Sequence, residues 1–138
     1  MEKALAYFNS GFNCSQAILS AYSPRYGLDA ELAQKIACGF GAGMGRLGET
    51  CGAVTGAYML ISLIHGDDRE RTYELVREFS KRFIERNGST ECRTLLNVDL
   101  ITGDMEFASR QVQNICPNMV KDAAEILEEL LDLKKSKD

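Results

Sequence analysis

A chain of 138 residues with 45% apolar and 26% charged side chains has the size and composition of one globular domain, which excludes a disordered or fibrous protein. Its net charge of −4, without a basic patch, excludes nucleic acid as an expected partner. The most apolar run covers only residues 53–64, and a membrane span needs about 20 residues, so we expect no membrane insertion. The first residues lack the features of a secretory signal, and we therefore expect a cytoplasmic protein with a single domain over residues 1–138.

The sequence predicts an all-α fold of about six to eight helices packed around one core. Alternating runs that flank a hairpin turn are missing, so the strand signal is weak. The predicted helices span residues 2–10, 13–23, 29–38, 51–65, 67–87, 89–97, 106–115 and 117–133. Asn13 and Gln16 match a capping box at the start of the second helix, and Pro117 is typical of the first position of the last one. In the third helix, Leu32, Ala33 and Ile36 are available for burial.

A glycine-rich segment, residues 39–50, precedes the central apolar helix. Each glycine costs about 1 kcal/mol relative to alanine inside a helix, so this segment is predicted to form a tight loop. Residues 43–48 also match the Gly-x-Gly-x-x-Gly fingerprint of dinucleotide-binding proteins. That fingerprint is informative only between a strand and a helix, and here a helix is predicted before it. We therefore favour a loop that packs against the helices near Cys51.

Five cysteines are present, and thiols in a reducing cytosol more often serve catalysis, redox exchange or metal binding than structure. Four of them are predicted at helix N-termini: Cys14, Cys51, Cys92 and Cys116. At that position, unpaired backbone N–H groups and the helix dipole favour the thiolate, which attacks disulfides or binds metal. Cys38 lies at a predicted helix C-terminus, where the dipole disfavours the thiolate. Buried, inert thiols are the alternative explanation.

The spacing of the cysteines excludes several local motifs. No Cys-x-x-Cys pair occurs, which argues against the motifs of thioredoxins, zinc ribbons and ferredoxins. The Cys-x-x-Cys-His motif of covalent c-type haem attachment is also missing. Any site must therefore be assembled by the fold from distant helices.

Several segments together resemble a known family. Residues 51–56 read Cys-Gly-Ala-x-x-Gly, residues 39–45 are glycine-rich, and residues 11–17 contain Gly-Phe-Asn-Cys. Single cysteines follow at Cys92 and Cys116. In order and spacing this pattern resembles the C_GCAxxG_C_C family of redox-active proteins, which is named for its cysteines, and the resemblance covers nearly the whole chain.

The resemblance implies a redox activity, but no substrate. The four characteristic cysteines of the family are matched by Cys14, Cys51, Cys92 and Cys116, and Cys38 falls outside the pattern. Related domains occur within some haem-binding cytochromes, whereas this chain lacks the haem attachment motif.

Our first hypothesis is a thiol–disulfide redox protein, acting as a thiol-dependent oxidoreductase without a cofactor. Cys51 would be the attacking thiolate and the most acidic thiol, while Cys14, Cys92 and Cys116 would resolve the mixed disulfide or relay the oxidation. The partner would be a redox protein or a small thiol or disulfide. Four cysteines allow three pairings, and the sequence does not choose among them.

Two alternatives remain open from the sequence. The same four cysteines, Cys14, Cys51, Cys92 and Cys116, would suit zinc or an iron–sulfur cluster if their thiolates converged on one centre. A helical interaction module with inert cysteines is the third interpretation.

Overall fold

The computed structural model describes residues 1–133 and confirms the all-α fold. The helices are α1 Glu2–Asn9, α2 Cys14–Tyr22, α3 Ala30–Ala37, α4 Gly41–Met44, α5 Gly52–His65, α6 Arg69–Asn87, α7 Cys92–Leu96 and α8 Met105–Leu130. Short 3-10 helices occupy Ser23–Tyr26 and Cys38–Phe40. Over the described chain, the extended pairing consists of one isolated antiparallel bridge between Thr50 and Glu91.

The start of α2 is fixed by the capping box that the sequence predicts. The Asn13 side chain accepts a hydrogen bond from the Gln16 backbone N–H at 2.9 Å, and the Gln16 side chain accepts one from the Asn13 N–H at 2.9 Å. Two donors that the helix leaves unpaired are thereby satisfied. This cap sets the position of Cys14, the first residue of α2.

The core surrounds α5, which packs against α2, α6 and α8. Its largest fully buried side chains include Ile18, Leu19, Tyr22, Val54, Leu60, Ile61, Phe79, Phe83, Val120, Ile126 and Leu127. Each apolar side chain of this size contributes about 1.5–3 kcal/mol on burial. Gly56 lets α2 approach α5 closely, because a Cβ atom there would lie 2.9 Å from the Ser15 carbonyl oxygen.

The prediction of two helices before and after Cys116 is wrong, since α8 runs continuously from Met105 to Leu130 with Pro117 inside it. Proline lacks an N–H donor and costs roughly 3 kcal/mol in a helix interior. Buried residues lie on both sides of Pro117, from Ala108 to Leu127, and the burial of these side chains offsets the cost of the proline.

The expected burial of Leu32 and Ile36 is also wrong, because each side chain remains 47% exposed. The expected burial of Ala33 is confirmed, and Ala37 is buried beside it. These small residues let α3 lie close to α2, which turns the larger side chains outward.

The glycine-rich segment includes the short element α4, but its backbone winds as a left-handed turn and not as a regular right-handed helix. Five consecutive residues have positive φ: Ala42, Gly43, Met44, Gly45 and Arg46. Left-handed backbone costs roughly 1–2 kcal/mol for each residue other than glycine. Two backbone hydrogen bonds of 2.9 Å brace the turn, from Gly45 N–H to the Gly41 carbonyl and from Glu49 N–H to the Gly43 carbonyl. The prediction of a tight loop before α5 is therefore confirmed.

None of the helices within residues 1–133 combines the length and the apolar character that a membrane span requires.

Candidate functional site

Three helices begin at the cavity that contains the cysteines. Cys14 is the first residue of α2, Cys51 is the N-cap of α5, and Cys92 is the first residue of α7. These positions agree with the sequence prediction. The N-cap position predicted for Cys116 is wrong, because that residue lies in the middle of α8, directly before Pro117.

All four of these cysteines line one cavity of about 320 Å³. A cavity of this volume is in the size range of small-molecule sites. Cys38 lies apart from it, exposed at the C-terminal end of α3. The fold thus gathers the four cysteines that the sequence singled out and leaves the fifth outside.

The isolated bridge positions Cys51 and Cys92. The Cys51 N–H donates to the Thr90 carbonyl at 2.7 Å, and the Cys92 N–H donates to the Glu49 carbonyl at 2.6 Å. Cys51 therefore lies opposite Thr90, and Cys92 is two residues further along the same segment. The bridge thus holds the starts of α5 and α7 side by side, and both cysteines line the same cavity.

Glycines bring the surrounding backbone against the cysteines. A Cβ atom at Gly43 would lie 2.6 Å from the Cβ of Cys92, and one at Gly52 would lie 3.2 Å from the Cβ of Cys14. The left-handed turn thus packs directly against the start of α7, and α5 begins beside the start of α2. This confirms the interpretation of the glycine segment as a packed loop.

Burial governs the ionisation of Cys51 and Cys92. Both thiols are buried, and loss of hydration raises the pKa of Cys51 to about 11 and that of Cys92 to about 12. At Cys51 the backbone N–H groups of Ala53 and Val54 act in the opposite direction and lower the pKa, but by less. The prediction that Cys51 is the most acidic thiol is therefore wrong.

Cys14 and Cys116 form an interacting pair of thiols. Their side-chain interaction raises the pKa of Cys14 well above its usual value and lowers that of Cys116. Burial adds to the rise at Cys14, whose side chain is nearly covered, while Cys116 is only partly buried. The pair thus combines an ionisable thiol near the surface with a protonated thiol behind it.

The remaining wall of the cavity is mostly apolar, and Asn13 is its one polar side chain among the described lining residues. The apolar side chains are Phe8, Phe12, Ala42, Leu96, Leu100 and Val112. Apart from the four thiols, none of the described residues that line it has an ionisable side chain. Sequence reasoning missed these residues because apolar side chains at helical spacing look the same whether they fill a core or line a cavity.

The side chain of Gln111 helps to hold the cavity together. Its amide donates to the Leu96 carbonyl at 2.7 Å, which ties α8 to the end of α7. Val112 and Cys116 lie one turn apart on α8 and both face the cavity.

Within residues 1–133, no group of three or more histidine, cysteine, aspartate or glutamate side chains has the arrangement of a metal site. The four thiols line the same cavity without converging on a single centre.

Comparisons with curated proteins and with solved structures gave no match. A family model does match the chain over residues 12–130, which includes all four cavity cysteines. In the motif at residues 51–56 this chain reads Cys-Gly-Ala, whereas the name of the family spells Gly-Cys-Ala. The chain belongs to the family described as "Putative redox-active protein (C_GCAxxG_C_C)".

Proposed function

We propose that this protein exchanges thiols and disulfides, with Cys116 as the attacking thiolate and Cys14 as the resolving thiol. The observation that carries the proposal is the placement of Cys14 and Cys116 on one cavity, with Cys14 buried and Cys116 partly exposed. Interaction between the two thiols raises the pKa of Cys14 and lowers that of Cys116, which favours the anion at Cys116. Disulfide exchange needs this combination of one accessible thiolate and a second thiol within bonding reach.

The reaction balances as a two-electron exchange. The Cys116 thiolate attacks one sulfur of a substrate disulfide, forms a mixed disulfide and releases the other half as a thiolate. Cys14 then loses its proton and attacks the Cys116 sulfur, which releases the second half as a thiolate. The products are a Cys14–Cys116 disulfide and the two halves of the reduced substrate.

Cys51 and Cys92 form the second thiol pair of the proposal. Their raised pKa values, about 11 and about 12, keep both thiols protonated at neutral pH and argue against a first attack from either. Exchange with the Cys14–Cys116 disulfide would pass the oxidation to this pair, because all four thiols line one cavity. We propose the reducing cytoplasm as the place of action, since the cycle starts from free thiols.

Serine variants test the two roles. Reduced protein is mixed with a small disulfide, and the products are mapped by mass spectrometry of alkylated peptides. We expect Cys116→Ser to abolish rapid reaction at the cavity thiols and Cys14→Ser to accumulate the mixed disulfide on Cys116. Cys38→Ser is the matched control, because Cys38 is exposed and lies outside the cavity. Rapid reaction of a cavity thiol that survives in Cys116→Ser would contradict the proposal.

The same preparation distinguishes the alternatives. Metal analysis that finds stoichiometric zinc or iron, with thiols that react only after chelation, would support a metal or iron–sulfur site at the four cysteines. Slow labelling of every cavity thiol in metal-free native protein would support an interaction module with inert cysteines.

A further inference from the structure

The cavity beside the thiols has walls that suit one chemical class of substrate. Phe8 and Phe12 contribute aromatic rings, and Leu96, Leu100 and Val112 contribute aliphatic surface. Among the described residues that line the cavity, none is a lysine, arginine, histidine, aspartate or glutamate. A charged group that entered would lose hydration without meeting a side chain of opposite charge, which is unfavourable.

We propose that the substrate of this site is a small, uncharged disulfide with apolar substituents, which reacts with one half held in the cavity. This inference rests on the proposed function and specifies its substrate class. The cavity, about 320 Å³, accepts a small molecule directly beside the attacking thiol. Peptide-like disulfides with several carboxylates and ammonium groups do not suit these walls.

The position of Val112 makes it the residue that selects the substrate. It lies one helical turn before Cys116 on α8, it lines the cavity, and it is partly exposed, so an incoming molecule passes it. An apolar side chain at this point favours entry of an uncharged group. A basic side chain there would favour an anionic one.

The reaction follows the balanced exchange given above. The half of the substrate that lies in the cavity becomes joined to Cys116, and the outer half leaves as a thiolate. Attack of Cys14 on the Cys116 sulfur then releases the inner half. Both electrons come from the Cys14 and Cys116 thiols, which end as a disulfide, and no other oxidant or reductant is required.

The test compares two aromatic disulfides at one pH, the uncharged 4,4′-dithiodipyridine and the anionic 5,5′-dithiobis(2-nitrobenzoate). Each rate constant is measured at Cys116 by peptide mass spectrometry, so that the exposed Cys38 does not contribute, and is divided by that of N-acetylcysteine with the same reagent, which removes the intrinsic reactivity of the disulfide. We expect the normalised preference for the uncharged reagent to reach about tenfold or more, because the charged one meets no side chain of opposite charge in the cavity. A normalised preference near one would overturn the proposed substrate class.

A pair of lysine variants tests the selecting position. Val112→Lys is expected to lower the preference for the uncharged reagent toward or below one. Gln113→Lys is the matched control, because it adds the same charge one residue away at an exposed position outside the cavity. Equal effects of the two variants would overturn the role of Val112. The wild-type comparison decides the substrate class even if Val112→Lys does not fold.

Failure of the substrate class differs from failure of the proposed function. If both reagents yield the Cys14–Cys116 disulfide without preference, only the substrate class is wrong. If neither yields that disulfide in the wild-type protein, the thiol exchange itself is wrong, and the inference fails with it.

Discussion

Two pairs of thiols share one cavity, and they differ in what controls their ionisation. At Cys51 and Cys92, burial raises the pKa to about 11 and about 12, although both residues lie at helix starts. At Cys116, in the middle of a helix, interaction with the Cys14 thiol lowers the pKa. Loss of hydration thus outweighs the helix N-terminus at Cys51, whereas at the partly exposed Cys116 the neighbouring thiol outweighs the loss of hydration.

The alkylation rates of Cys116 and Cys51 in the reduced protein test this difference in ionisation most directly. A pKa of about 11 at Cys51 reduces its thiolate fraction at neutral pH by about 100-fold relative to an ordinary thiol. Because the pKa of Cys116 moves in the opposite direction, we expect Cys116 to react with iodoacetamide at least about 100-fold faster than Cys51. Peptide mass spectrometry after timed quenching measures both rates. In urea-unfolded protein the two rates should converge, and equal rates in the native state would refute the comparison.

The dependence of stability on pH tests the burial of Cys51. In the unfolded chain this thiol titrates near 9.0, and in the folded protein its pKa is about 11. Between these values the unfolded state has lost a proton that the folded state retains, so stability falls as the pH rises. The loss from this one group is on the order of 3 kcal/mol, and below pH 9 it vanishes, since both states are protonated.

Denaturant unfolding between pH 8 and pH 11 measures this effect. We expect Cys51→Ala to be less stable at pH 8 but to lose less stability on the way to pH 11 than the wild-type protein. Cys38→Ala, which changes an exposed thiol outside the cavity, should follow the wild-type slope. Parallel curves for Cys51→Ala and wild type would show that this thiol does not titrate differently on folding.

A substitution at Gly43, in the left-handed turn, should perturb Cys92 without changing either thiol of the Cys51–Cys92 pair. Gly43 has a φ of +66°, and an added Cβ would meet Cys92 at 2.6 Å and the Glu49 nitrogen at 2.8 Å. Gly88 has a φ of +85°, but a Cβ there would meet nothing within 4 Å. Both alanine variants carry the backbone cost of about 1 kcal/mol, and Gly43→Ala should cost about 2 kcal/mol more because of the contact.

Urea unfolding gives the two free energies, and alkylation follows Cys92 in the same samples. We expect Cys92 to label faster in Gly43→Ala and to keep its wild-type rate in Gly88→Ala. A Gly43→Ala protein as stable as Gly88→Ala would mean that the turn does not press on the start of α7.

The sequence predicted most of the fold because the signals it uses are local. The capping box of Asn13 and Gln16 depends on two residues close in sequence, and the helix predicted over residues 67–87 ends at Asn87, directly before Gly88; both lie where expected. Pro117 carried an equally clear local signal, yet α8 continues through it. Contacts on both sides of the proline decide that outcome, and they come from parts of the chain distant in sequence.

For the cysteines, the sequence alone predicted which residues form the site but not how each thiol behaves. The number and spacing of the cysteines and the pattern at residues 51–56 identified the family and the four positions. Number, spacing and pattern depend only on the order of residues. The packing of α1, α2, α5, α7 and α8 decides which thiol is buried and which thiol interacts with Cys14. It also decides which apolar side chains face the cavity. Only the tertiary structure decided these properties, because hydration and hydrogen bonding at a sulfur atom are set by neighbours in space.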